Sequence, residues 1–450
     1  MEIREYLKES AGEIKSALER LVKIPSVSTG PCGNHPFGNE CAAVLDEFLA
    51  IAEENGFTAK NYGYYAGSAD LLPEGEAKLG ILAHLDVVPV SEKDWSFPPF
   101  EMTEKNGKLY GRGCEDDKGP LVAALFAMKA VRECGFKLKR NVRLIAGCSE
   151  ETGSETDIRE YMKRAPMPEN VFTPDAEFPV ITTEKGMLRF SFGGDADCGV
   201  IKSIKGGTVV NAVPSEVSAV LDKEIIIPQN ENIDTIYENG STTVVCKGKS
   251  AHASTPEQGI NAFNVLFKVL LKYADLPEND KNMINRLLRL FPDGETDATA
   301  LGLSQTDNSG STTCVFSIIS FEEGRLSCKA DMRFPVAFSK GEAVEKIKDA
   351  VEKAGFEFFG ATGSEPHCVD ENGDFVKNLL QSYTEVTGKP GYCKAIGGGT
   401  YVHGIDGGVA FGMEIEGEDN HIHGADEWIS MDALLTSSEI FANAIVKICG

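Results

Sequence analysis

The chain has 450 residues, about three times a common single-domain length, so two domains are the starting expectation. Hydrophobic residues make up 42% and charged residues 25%, which is ordinary globular composition with ample material for a core. Lys and Arg number 44 against 69 Asp and Glu, and the formal charge of −25 disfavours phosphate backbones and anionic lipid surfaces, so no nucleic-acid partner is expected.

No apolar run approaches the roughly 18–20 residues needed to cross a bilayer. The start, Met1-Glu2-Ile3-Arg4-Glu5-Tyr6, lacks the basic and apolar regions of a secretory signal. A cytoplasmic protein with no membrane partner is expected. The 12 cysteines contain no CxxC pair and read as buried thiols of a reducing compartment.

Along the chain, Ile3, Tyr6, Leu7, Ile14, Leu18, Leu21 and Val22 predict a helix over 2–24. A second helix is expected over 39–55, with Gly56 suited to its C-cap. The period changes at Lys78, and Leu79 to Val88 reads as a mostly buried strand. A helix over 120–133 with Pro120 at its first position, a strand over 142–148 and a short strand at 171–173 follow. Strand, helix, strand at this spacing predicts an α/β fold built on a mainly parallel sheet flanked by helices.

After about residue 180 the texture becomes antiparallel, with strands over 187–193, 217–227 and 242–247 and a helix over 261–275. Strands within 313–335 and a helix over 341–354 repeat that pattern. The α/β texture returns with helices near 374–387 and 431–448. The expected organisation is a catalytic domain of residues 1–181 and 363–450, interrupted by an α+β lid domain of residues 182–362 with two similar subunits in series.

His84 and Asp86 lie two apart, hence on one face of a strand, at the carboxyl edge where open α/β sheets place their sites. A satisfied core histidine beside a strand-ending aspartate is an equally good reading of that pair alone. Gly111-Arg112-Gly113-Cys114-Glu115-Asp116-Asp117-Lys118-Gly119-Pro120 turns into the next helix, where helix capping explains either aspartate. Ser149-Glu150-Glu151 and Pro174-Asp175 bring acids to two further strand ends, and Asn420-His421-Ile422-His423 adds imidazoles. Singly these are ordinary loop charges. Together they deliver His, Asp and Glu to one rim, and such a set suits zinc.

HLDVVP, GRGCEDDKGP, EETGSE, TPDAEFP and HGADE occur in the order and approximate spacing of the di-zinc aminoacylase, desuccinylase and dipeptidase family. The chain resembles that family over nearly its whole length, and within it the bacterial PepV-type dipeptidases, notably in GRGxxDDKGP and PDAEFP. The resemblance implies two Zn²⁺ per chain, replaceable by Mn²⁺ or Co²⁺. His84, Asp116 and Asp175 would hold one ion; Asp116, Glu151 and His423 would hold the other, with Asp116 bridging. His423 rather than His421 fits the HxxDE spacing. Asp86 would orient His84, Glu150 would be the general base, and a cis peptide would follow Asp116. Cys114 stands where the family often has Ser or Thr, and nothing in the sequence gives it a role.

Two zinc ions carry four positive charges and three ligand carboxylates cancel three, leaving one to stabilise a bridging hydroxide. A fourth ligand carboxylate would remove that excess and leave no base.

Ser250-Ala251-His252-Ala253-Ser254-Thr255-Pro256-Glu257 alone reads as a surface loop before a helix. The resemblance makes His252 the stabiliser of the oxyanion and assigns Asn211 and Arg333 to substrate contacts. It places Gly397, Gly398, Gly399 and Thr400 near the substrate carboxylate; the run lacks the lysine of a phosphate loop.

The function implied is hydrolysis of dipeptides with a free amino terminus by a monomer, since the insert is long enough to replace a dimer partner. The rivals are an N-acyl amino acid deacylase on the same scaffold and an inactive metal- or peptide-binding protein.

Overall fold

A computed structural model describes residues 2–450. They form two compact units: unit 1 runs to Thr182 and takes up again at Cys368–Lys394 and Gly399–Gly450, and unit 2 comprises Thr183–His367 with Ala395–Gly398.

Unit 1 opens with α1 (Ile3–Glu9) and α2 (Ala11–Val22). The single helix expected over 2–24 is broken at Ser10, where φ is −85° and ψ 2°. Serine competes for backbone hydrogen bonds, and Gly12 weakens the turn that would carry the helix across. α3 (Asn39–Glu54) ends as expected at Asn55-Gly56, with Gly56 in the left-handed region. Then come β1 (Thr58–Asn61), β2 (Ala66–Asp70), β3 (Ala77–His84), α4 (Lys118–Glu133), β4 (Asn141–Gly147), α5 (Thr156–Met162), β5 (Asn170–Thr173) and β6 (Val180–Glu184). Pro120 is the third residue of α4, not the first; it still lies in the first turn, whose N–H groups have no intrahelical acceptor.

Unit 2 contains β7 (Gly186–Asp195), β8 (Ile201–Gly206), β9 (Glu216–Leu221), β10 (Ile233–Glu238), β11 (Ser241–Lys247), α6 (Ala262–Tyr273), α7 (Glu278–Leu290), β12 (Thr313–Glu322), β13 (Arg325–Phe334), α8 (Lys340–Lys353) and β14 (Glu357–Ser364). The return to unit 1 supplies α9 (Asp374–Thr387), β15 (Val409–Ala410) and α10 (Met431–Cys449).

The sheet of unit 1 runs β1-β2-β4-β3-β5-β15-β6. Its centre, β4-β3-β5-β15, is parallel, while β1, β2 and β6 join antiparallel. The sheet is therefore mixed, with parallel pairing concentrated where the site forms. Alternation along β3 sets the two faces: Leu79, Ile81 and Ala83 enter the core with α4 and α10, and Leu82 joins Ile145, Tyr161 and Tyr401 on the opposite side. His84 has the parity of Leu82 and ends the strand.

Unit 2 is one antiparallel sheet in the order β10-β11-β9-β8-β12-β13-β7-β14. α6 packs on β9 and β11, and α8 packs on β7 and β14. Two four-stranded halves meet at β8 and β12, and they are nested: β7, which precedes the first half in the chain, belongs to the second. The expected boundary at 363 falls inside β14, where Ser364 pairs with Met187 of β7. Residues 395–398 also group with unit 2 rather than with the α/β unit expected to carry them. The strand expected over 217–227 stops at Leu221, before Asp222-Lys223-Glu224. Among the described residues no helix is long and apolar enough to cross a membrane.

Candidate metal centre

Three parallel strands end together and feed one cluster. His84 is the last residue of β3 and pairs with Gly147, the last of β4. Glu150 and Glu151 follow three and four residues later, and Asp175 lies two beyond the end of β5. Asp116 stands in the turn before α4, joined to Asp117 by the cis peptide that the resemblance implied. Gly147 has to be glycine here, because a Cβ would fall 1.6 Å from the Tyr401 hydroxyl.

Asp116 sits between the two imidazoles. Its Oδ1 lies 2.9 Å from His84 Nε2 and its Oδ2 lies 2.9 Å from His423 Nε2. Asp175 Oδ2 is 3.5 Å from His84 Nε2, and Glu151 Oε2 is 3.1 Å from His423 Nε2. The five side chains expected as ligands thus come close together in unit 1, Asp116 and Asp175 against His84 and Asp116 and Glu151 against His423. A Glu150 oxygen also comes within 4.8 Å of ligand atoms of His84 and Asp175, so position alone does not separate base from ligand. His421 turns away, with Nδ1 3.1 Å from the Ala425 carbonyl.

Asp86 contacts both His84 and the turn that carries Glu150 and Glu151. The nearest acceptor to His84 Nδ1 is the Asp86 main-chain carbonyl at 3.0 Å, with the carboxylate at 3.5 Å. That buried carboxylate instead accepts the N–H groups of Glu150 at 3.1 Å and Glu151 at 3.2 Å, fixing the turn that presents both acids.

The electrostatics suit a cation. Burial pushes Glu150, Glu151 and Asp175 above the usual carboxylate range. Asp116, although burial opposes its charge, is held below that range by His423 and His84. His423 is raised to about 10 by its contacts with Asp116 and Glu151. The carboxylates thus raise the proton affinity of His423, and a divalent ion held at the same positions would compete with protons for these groups. His84 Nε2 is fully buried yet has no aligned hydrogen-bond partner, which is the condition of a nitrogen shaped for coordination. Two imidazoles and three carboxylates make a donor set that fits zinc.

The substrate residues expected in the insert gather within unit 2. Asn211 and His252 lie on adjoining segments: the Ala253 N–H donates to the Asn211 carbonyl at 2.9 Å, and Ala212 bridges His252. His252 Nδ1 accepts the Ser254 N–H at 3.2 Å and lies 2.6 Å from its hydroxyl. An Nδ1 that accepts a backbone N–H leaves the proton of the neutral ring on Nε2. Burial and the nearby Arg333 lower the His252 pKa, against the opposing charge of Asp331.

Arg333 is not a free fork. Its Nε and Nη2 pair with the fully buried Asp331 at 2.7 and 3.3 Å, and Nη1 donates to the Gly397 carbonyl at 3.1 Å. Gly397 and Gly398 group with unit 2, whereas Gly399 and Thr400 group with unit 1.

Two carboxylates with site contacts were not singled out in the sequence. Glu427, fully buried, accepts main-chain N–H groups from Gly113, Glu115 and Asp116 at 2.8–3.1 Å and pairs with Arg112 at 2.6 Å. Asp157 accepts from Cys148 N, Ser149 N and the Tyr401 hydroxyl at 2.6–2.9 Å, bracing the start of the Glu150 turn. Glu427 ends the HGADE run; Asp157 carried no local signal. Cys114 is fully buried within the hydrophobic core of unit 1.

Histidines and carboxylates at the ends of parallel strands, in an α/β unit interrupted by an antiparallel α+β unit, are the layout of a metal-dependent hydrolase. Residues 80–447 match the model of Peptidase family M20/M25/M40, and the chain belongs to that family. It is similar to the Beta-Ala-Xaa dipeptidase of Lactobacillus delbrueckii subsp. lactis, at 32% identity over 100% of this chain and 98% of the relative. Its fold is similar to that of an M20 family metallo-carboxypeptidase, Sso-CP2 from Sulfolobus solfataricus, with a TM-score of 0.60 at 19% identity, covering 97% of this chain and 99% of the other. Human carnosine dipeptidase 1 gives a TM-score of 0.59 at 17% identity, covering 99% and 98%. At those identities the two structures speak to the fold.

Proposed function

We propose that this protein is a zinc-dependent dipeptidase that cleaves dipeptides bearing a free amino terminus. The observation that carries the reading is Asp116, with one carboxylate oxygen 2.9 Å from His84 and the other 2.9 Å from His423. His84, Asp116 and Asp175 would hold one ion, and Asp116, Glu151 and His423 the other. Two ions held there would supply polarisation of a scissile carbonyl and a more acidic water.

Glu150 is assigned as the base: it takes the proton of the attacking water and passes it to the leaving amine. The raised affinity of its buried carboxyl for a proton supports that role. His252, with Nδ1 accepting from Ser254, offers Nε2–H to the developing oxyanion. Asn211, Gly397, Gly398, Gly399 and Thr400 are assigned to substrate binding. The N–H groups of Arg333 left over from Asp331 and Gly397 are assigned to a substrate carboxylate. A monomer is proposed as the working unit; an active species that light scattering finds only as a dimer would refute it.

The name of the Lactobacillus relative favours peptide over acyl substrates. The test is a substrate panel with metal-reconstituted enzyme: Ala-Ala and β-Ala-His against Ala-Ala-Ala, N-acetyl and N-succinyl amino acids. A tripeptide moves the terminal carboxylate about 3.3–3.6 Å further along, beyond productive anchoring. Dipeptides should give the highest kcat/KM. Preference for N-acyl substrates would move the enzyme to the deacylases, and no turnover of any substrate would favour an inactive binding protein.

A further inference from the structure

Asp116 and His423 come from distant parts of the chain, yet their side chains meet at 2.9 Å. His423 is poorly supported on its own: the side chain is 55% exposed, and the residue takes a left-handed φ of 61°. One buried ion pair connects the backbones that carry both residues. Arg112 Nη2 donates to the Gly424 carbonyl at 2.8 Å, next to His423. Its other arm, Nη1, donates to Glu427 Oε2 at 2.6 Å. Glu427 Oε1 in turn accepts the Asp116 N–H at 3.1 Å and the Glu115 N–H at 2.8 Å. The path from Gly424 through Arg112 and Glu427 to Asp116 is continuous, and both side chains are at least 97% buried.

We propose that Arg112 and Glu427 are positioning residues that set the spacing between Asp116 and His423, and that Arg112 thereby controls affinity for one of the two ions. The inference rests on the di-metal reading above. Its physical basis is the planar fork of arginine, which spans a carboxylate and a carbonyl at once; lysine presents a single point charge. Arg112→Lys therefore keeps a cation against Glu427 and drops the tie to Gly424. The ion held by Asp116, Glu151 and His423 loses support, while the ion held by His84, Asp116 and Asp175 keeps it. Glu427→Gln is different, because it weakens the cradle under Asp116, which serves both ions.

The experiment is calorimetric titration of the metal-stripped full chain with Co²⁺, alongside thermal unfolding of each metal-free variant. Wild type should bind two ions. Arg112→Lys should bind one ion within about threefold of wild type and the other about 10–100-fold more weakly, the usual effect of losing a ligand's supporting partner. Glu427→Gln should weaken both; where it fails to fold, Arg112→Lys alone decides. Two ions bound by Arg112→Lys with wild-type affinities would overturn the positioning role, whatever its unfolding temperature. Fewer than two ions bound by wild type would overturn the di-metal reading and this inference with it.

Discussion

Glu150 and Glu151 are neighbours whose N–H groups share one acceptor, the Asp86 carboxylate, yet their side chains have different surroundings. Glu151 reaches His423 at 3.1 Å. A Glu150 oxygen lies within 4.8 Å of ligand atoms of His84 and Asp175. Glu150→Gln keeps the side-chain shape and removes the ability to take a proton. It should bind both metals and lose about 10²–10⁴ in kcat, the usual scale for a general base. Glu151→Gln should lose metal first and recover partly in excess zinc, because an amide is a poor zinc ligand. Metal content and turnover measured side by side decide, and metal loss confined to Glu150→Gln would reverse the two assignments. The sequence motifs suggested this cluster, because ligand chemistry sits in short runs at strand ends. The supports were harder to read. Asp157 braces the Glu150 turn through three contacts, one of them with Tyr401, and such a long-range contact leaves no local pattern.

At the scale of elements, strands and amphipathic helices with strong periodicity were legible, including α3, α4, α9 and α10. Four elements of unit 2 were not: β8, β10, β14 and α7. β14 alternates only half-buried and exposed positions, since it lies at the end of the sheet, and α7 begins with the polar run Glu278-Asn279-Asp280-Lys281-Asn282. α7 is nevertheless anchored, because Asp280 is fully buried and accepts the N–H groups of Gly199, Val200 and Ile201 at 2.7–3.0 Å. This carboxylate ties the first turn of α7 to the entry of β8. Asp280→Ala would leave three N–H groups without their acceptor, a loss of at least about 3 kcal/mol, since each hydrogen bond to a carboxylate contributes about 1.5–3 and the contributions of neighbouring bonds do not simply add. Urea unfolding followed by circular dichroism should show that loss. A variant as stable as wild type would mean that water replaces the carboxylate without cost.

For the whole molecule, the order of elements explains how the chain keeps one α/β unit while housing a second. Unit 1 is left within β6, after Thr182, and regained before α9, and its returning segment supplies β15, α10 and the His423 loop. The site therefore forms only when the two ends of unit 1 have come together, and a chain lacking residues after 400 would lose His423. The insert's limits were the least legible part of the sequence, because no change in composition marks them. β14 continues the sheet of unit 2 past the expected boundary, and Ala395–Gly398 belong to that unit although their neighbours on both sides do not.

A dinuclear hydrolase makes one demand that an inactive scaffold does not: activity has to follow metal occupancy. The most direct measurement is hydrolysis of Ala-Ala by exhaustively chelated enzyme as Zn²⁺ is returned stepwise, with bound metal measured in each sample. The expected result is negligible turnover without metal and a rise that levels off at about two ions per chain, as in other two-metal sites. Full turnover with metal content near zero would contradict the mechanism outright.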